Sequence, residues 1–70
     1  MNPEMEDVVR RVEEENGFSF DESEVEFAES QSRKKMELTG KTDDYFILIF
    51  RTELDDIIMR REINALNFAK

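Results

Sequence analysis

Tyr45-Phe46-Ile47-Leu48-Ile49-Phe50 is the longest apolar run of the chain, and its reading decides the fold. Taken alone it is rich in strand formers, because β-branched and aromatic side chains suit a pleated, half-buried surface. Taken together with residues 51–68, it belongs to a longer pattern. At about 100° per residue, Phe46, Phe50, Leu54, Ile57, Ile58, Ala65 and Phe68 gather in one stripe. The stripe stays in phase through Leu54 and Ile57, so the segment from Thr42 or Asp43 to the C-terminus is read as one helix. Asp43 and Asp44 would sit favourably at its positive N-terminal end. In the alternative, residues 45–51 form a short strand and Thr52 caps a shorter helix. That strand would need partners, which only residues 18–28 could supply.

Two further helices precede it. Asn2 can cap the first, with Pro3 at the first helical position, where a missing N–H costs nothing. Met5, Val8, Val9 and Val12 share one face, and Glu6–Arg10 and Asp7–Arg11 are favourably ordered i, i+4 pairs. Asn16-Gly17 supplies the left-handed stop. The acidic end, Glu13 to Glu15, opposes the helix dipole and is expected to fray. The second helix is expected from about Asp21 to Leu38, opened by a capping box of Asp21 and Glu24 and closed by Gly40. Phe20 and Val25 occupy the positions of a hydrophobic staple. The apolar face is thin (Val25, Ala28, Ser32, Met36), Phe27 and Leu38 point elsewhere, and a short strand at Glu24 to Ala28 is an alternative. The expected fold is all-α: residues 1–70 form a single small three-helix domain with a long C-terminal helix. An α+β arrangement with a strand at 45–51 is the alternative. The expected core is Val8, Val9, Val12, Phe18, Phe20, Val25, Ala28, Met36, Phe46, Phe50, Leu54, Ile57 and Ile58.

Composition removes several classes of function. The 70 residues contain no cysteine and no histidine, which leaves no disulfide, no thiolate metal site and no imidazole base. No apolar run approaches the roughly 20 residues that span a bilayer. The N-terminal residues Glu4, Glu6 and Asp7 do not resemble a secretory leader, so a cytoplasmic protein is expected. The formal net charge is −8 and is unevenly spread. Residues 1–30 carry eleven acidic and two basic side chains, whereas residues 31–70 carry seven acidic and eight basic.

The long helix has a second apolar stripe. Tyr45, Leu48, Met59, Ile63 and Leu66 lie about opposite the first, with Arg51, Thr52, Asp55 and Asp56 between them. If the other helices cover one side only, this stripe is exposed, and exposed clusters of this kind mark protein interfaces. A homodimer through this helix is the simplest version. Packing of the two shorter helices on opposite sides of a central third is the competing reading.

Reactive constellations are few. Glu22, Glu26 and Glu29 share a helix face, but acid–base chemistry needs a cleft that so small a core can hardly build. The same residues fit a solvated face better. A calcium loop starting at Asp21 fails, since its sixth place is Glu26 and not glycine. Gly40-Lys41-Thr42 lacks the upstream glycine of a phosphate loop and reads as a stop followed by a cap. Arg33-Lys34-Lys35 and Arg60-Arg61 are partly matched by Glu29 and Asp56 at i, i+4, and a pI near 4.4 opposes direct nucleic-acid binding.

No enzyme, cofactor, metal, membrane or small-molecule substrate is therefore expected. The expected function is a small acidic non-catalytic protein–protein interaction module of regulatory or adaptor type. Its contact residues would be Tyr45, Leu48, Met59, Ile63 and Leu66. The alternative uses Glu13, Glu14, Glu15, Glu22, Glu26 and Glu29 as a phosphate-like surface that inhibits a nucleic-acid-binding protein. In size and charge balance alone, the chain is similar to the small acidic inhibitors that phages and mobile elements carry against host nucleases.

Overall fold

The computed structural model describes residues 2–40 and 44–68, the side chain of Phe68 excepted, and among them are three helices and no strand. These are α1 (Pro3–Asn16), α2 (Glu22–Thr39) and α3 (Asp44–Phe68). The domain is all-α, and the run from Tyr45 to Phe50 is helical. Residues 24–28 are helical too, so neither strand alternative is realised. The expected start of the long helix at Thr42 or Asp43 lies outside the described residues.

Local chemistry sets each helix boundary. The Glu4 amide donates to Asn2 Oδ1 at 2.8 Å, and Pro3 follows the cap. Gly17 ends α1 with φ of 59°, a conformation that costs other L-residues about 1–2 kcal/mol. The expectation that Glu13 to Glu15 fray is not met, since α1 is helical through Asn16. Two of the three carboxylates find donors beyond the helix. Glu13 accepts the Phe20 amide at 2.8 Å, and Glu15 pairs with Arg51 at 2.7 Å. At α2 the capping box is complete: the Glu24 amide donates to Asp21 Oδ1, and the Asp21 amide donates to Glu24 Oε1. Gly40, with φ of 63°, closes α2 by donating its N–H to the Met36 carbonyl at 3.0 Å.

Both shorter helices pack on α3. Glu24 meets Arg61 near the start of α2, and Lys35 meets Glu53 further along, so α2 runs antiparallel to α3. Met5 and Ile47 line the same surface cavity, and Glu15 reaches Arg51, so α1 runs parallel to α3. The result is an up-down-up arrangement 43 Å long and 24 by 18 Å across. Met5, Val12, Val25, Ala28, Phe50, Leu54 and Ile58 are buried together. Val8, Val9, Phe18, Phe20, Phe46, Ile47 and Ile57 pack around them, half-buried. Met5 and Ile47 were not among the expected core residues, and Met36 does not join the cluster. Ala65, expected on the inner stripe, is exposed because α3 outruns its partners. The Phe68 side chain lies outside the described residues.

Leu54 is fully enclosed and sits where all three helices meet. Leu54→Ala is expected to cost about 2–5 kcal/mol. A chain of this size has roughly 4–10 kcal/mol of total stability at about 0.05–0.15 kcal/mol per residue. Thermal unfolding followed by circular dichroism should therefore show a large drop in midpoint or no cooperative transition.

The Ser23 hydroxyl, with the Glu24 amide, holds the Asp21 carboxyl below the ordinary aspartate value of 3.8. A depressed folded-state value means that the charged cap stabilises fully above pH 3.8 and is lost as pH falls through the lower value. An NMR titration of the Asp21 carboxyl carbon should show a midpoint below 3.8, and Ser23→Ala should raise it.

Candidate functional site

The two shorter helices straddle the inner stripe of α3 and leave its opposite arc uncovered. Glu53 and Phe46 face α2, meeting Lys35 and the Arg33 guanidinium, the latter 5.6 Å from the Phe46 ring centre. Arg51 and Ile47 face α1. All five residues expected at an interface lie on the remaining arc and are exposed: Tyr45 by 45%, Leu48 by 62%, Met59 by 57%, Ile63 by 50% and Leu66 by 68%. They fall within an arc of about 60° at 100° per residue. Between them, the Thr52 hydroxyl turns back to donate to the Leu48 carbonyl at 2.9 Å. Asp56 is paired with Arg60 at 3.1 Å.

The far end of α3 is largely exposed. Residues 59–67 are all exposed, a span of about 13 Å at 1.5 Å per residue. Its inner boundary is clamped by Arg61, whose guanidinium pairs with Glu24 at 2.6 Å and stacks 4.5 Å from the Phe18 ring centre. Beside this clamp is a groove of about 320 Å³ between α2 and α3, with Phe27 and Ile57 among its lining residues. Phe27 is 49% exposed, so α2 contributes apolar surface next to that of α3.

The six carboxylates of the alternative surface are dispersed in role. Glu13 accepts the Phe20 amide, Glu15 pairs with Arg51, and Glu29 pairs with Arg33 at 2.8 Å. Glu14, Glu22 and Glu26 are exposed and make no ion pair with a described residue. Among the described residues, no three acidic side chains converge closely enough to hold a metal ion. The basic clusters are largely engaged: Arg33, Lys35, Arg60 and Arg61 each pair with a carboxylate. No helix among the described residues is long and apolar enough to cross a membrane.

Sequence reasoning missed Glu53, a buried carboxylate paired with Lys35 in the seam between α2 and α3. The available signal was its helical phase. Glu53 falls on the α2-facing side of the inner stripe, close to Phe46 and Ile57. No protein-family model, curated protein or solved structure matches the chain.

The Glu53 pair makes an asymmetric prediction. Lys35→Ala leaves a buried carboxylate without its counter-charge and should cost about 1–3 kcal/mol in urea unfolding. Glu53→Met removes the buried charge while leaving a half-exposed Lys35, so its cost should be clearly smaller. Equal losses for the two variants would contradict the pairing.

Proposed function

We propose that this chain is a non-catalytic protein-interaction module, of regulatory or adaptor type, which docks on another protein through the outer face of α3. One observation carries the reading: every residue of α3 from 59 to 67 is exposed, with Arg61 as its anchor to Glu24 and Phe18, and the outer face presents Met59, Ile63 and Leu66 there. A short helical segment gains little stability in water from its backbone alone and normally relies on packing of an apolar face. Covering the exposed half to two-thirds of these three side chains contributes on the order of 1–2 kcal/mol each. The cytoplasm is the proposed working compartment.

The acidic-mimic reading is weaker on the same geometry. Three of its six carboxylates already serve internal contacts, which leaves Glu14, Glu22 and Glu26 as a sparse set. Catalysis is weaker again. The groove beside Phe27 is lined by Glu24, Arg60 and Arg61, and all three are occupied by ion pairs.

A tagged protein and three variants, applied to lysate of the source organism at two salt concentrations, separate these readings. Ile63→Asp and Leu66→Asp sit on exposed positions and should leave helicity intact while abolishing capture. Glu22→Lys with Glu26→Lys should leave the same capture largely in place. The reverse pattern, with capture lost steeply as salt rises, would establish the acidic-mimic reading instead.

A further inference from the structure

The outer face of α3 carries a 4–3 line that is apolar at both ends and polar at Thr52 and Asp56 in its middle. Tyr45, Ile49, Thr52, Asp56, Met59, Ile63 and Leu66 succeed one another at alternating steps of four and three residues. A 4–3 repeat keeps one narrow line of side chains facing a partner helix over its whole length. Ile49 falls on this line by helical phase and is half-buried at its edge.

Charge then discriminates among occupants. Along the α1-facing edge of the stripe run Asp55 and Glu62, both exposed. Neither makes an ion pair with a described residue. Both lie within about 20–40° of Leu48 and Leu66 around the helix axis. The opposite edge is locally neutral, because Asp56 and Arg60 satisfy each other. Among the described basic residues, only Arg10 and Lys34 lack an ion pair, so unpaired surface charge is mostly carboxylate.

A second copy of the chain fits this seam poorly. Packed parallel over the whole stripe, Asp56 would face its own counterpart. Packed antiparallel, each helix would set its Asp55–Glu62 edge against the same edge of the other. The antiparallel arrangement sets like charges edge to edge, and the parallel one brings two Asp56 carboxylates, each balanced only by its own exposed Arg60, into the seam of molecules that each carry −8.

We propose that the outer face of α3 accepts a basic amphipathic helix. Its apolar line lies on Met59, Ile63 and Leu66, and its Lys or Arg flank lies along Asp55 and Glu62. This rests on the interaction-module reading and adds the chemistry of the partner. The apolar line supplies the bulk of the contact, and the carboxylate edge selects the sign of the partner's charge.

The test uses two synthetic helical peptides with leucine at the heptad seam, one flanked by lysine and one by glutamate. Fluorescence anisotropy is measured against the full chain. The lysine peptide should bind at least about tenfold tighter than the glutamate peptide. Asp55→Lys with Glu62→Lys should erase that preference. Glu22→Lys with Glu26→Lys, which changes net charge equally, should retain it. Equal loss from both charge reversals would mean attraction by net charge alone and would overturn the proposal. Should light scattering show a dimer of the chain that Ile63→Asp dissociates, the face belongs to a second copy; the interaction-module reading then stands and this proposal falls. If Ile63→Asp leaves lysine-peptide binding unchanged, both fall.

Discussion

Burial along one side of α3 holds the molecule together. Phe50 and Leu54 are fully enclosed, and Ile58 nearly so. Both other helices deliver their buried side chains to that line, Met5 and Val12 from α1 and Val25 and Ala28 from α2. The two short helices are thus organised by the long one. This explains why polar contacts between elements also terminate on α3: Glu15 on Arg51, Lys35 on Glu53 and Glu24 on Arg61. Three attachments spread along one rod fix both the direction and the register of the helices packed on it. The thin apolar face of α2 suffices for the same reason. Ser32 is buried there with its hydroxyl satisfied, since it donates to the Ala28 carbonyl at 2.7 Å.

The features legible in the sequence were those with a short-range cause. Asn2, Asp21, Glu24, Gly17 and Gly40 each act within a few residues of themselves, so their roles derive from local hydrogen bonding and backbone sterics alone. The helical state of residues 45–51 needed a longer view, since the local propensity of Phe46 to Phe50 favours a strand. Phase continuity with Leu54 and Ile58 outweighed it, because burial of a whole stripe exceeds the propensity differences of a few residues. The less legible features depend on how far one helix extends past another. Ala65 is in phase with the core but lies beyond the reach of α1 and α2, and no periodicity reports that length difference. Likewise, Glu53 and Glu13 become structural only through Lys35 and the Phe20 amide, partners 18 and 7 residues away.

The outer face was legible as a pattern, whereas its exposure was a matter of geometry. Tyr45, Leu48, Met59, Ile63 and Leu66 share a direction by arithmetic, but two arrangements of the short helices were compatible with that. Had they packed on opposite sides of α3, the second stripe would have become a second core. They pack on adjacent sides instead, because the large side chains of the inner stripe, Phe46, Phe50 and Leu54, are contiguous and fill one seam. Phe46 and Phe50 stack nearly parallel with ring centres 6.1 Å apart, forming a continuous aromatic wall at the start of that seam.

Arg61 gives the uncovered end of α3 its significance for binding. It joins the helix to Glu24 and to Phe18, one on α2 and one in the connection between α1 and α2, at the point where cover ends. Once the preceding turns are fixed by packing, each further helical residue adds a hydrogen bond without a new nucleation cost. The overhang is therefore presented in helical form from an anchored base. A partner that lies along it has little of this chain's backbone left to order, so more of the apolar contact energy is retained as affinity. The carboxylates beside it can stay hydrated at the rim and still bias which partner approaches, because long-range attraction acts before the apolar surfaces close. Affinity and selectivity are then carried by different residues of the same helix: Met59, Ile63 and Leu66 for the first, Asp55 and Glu62 for the second.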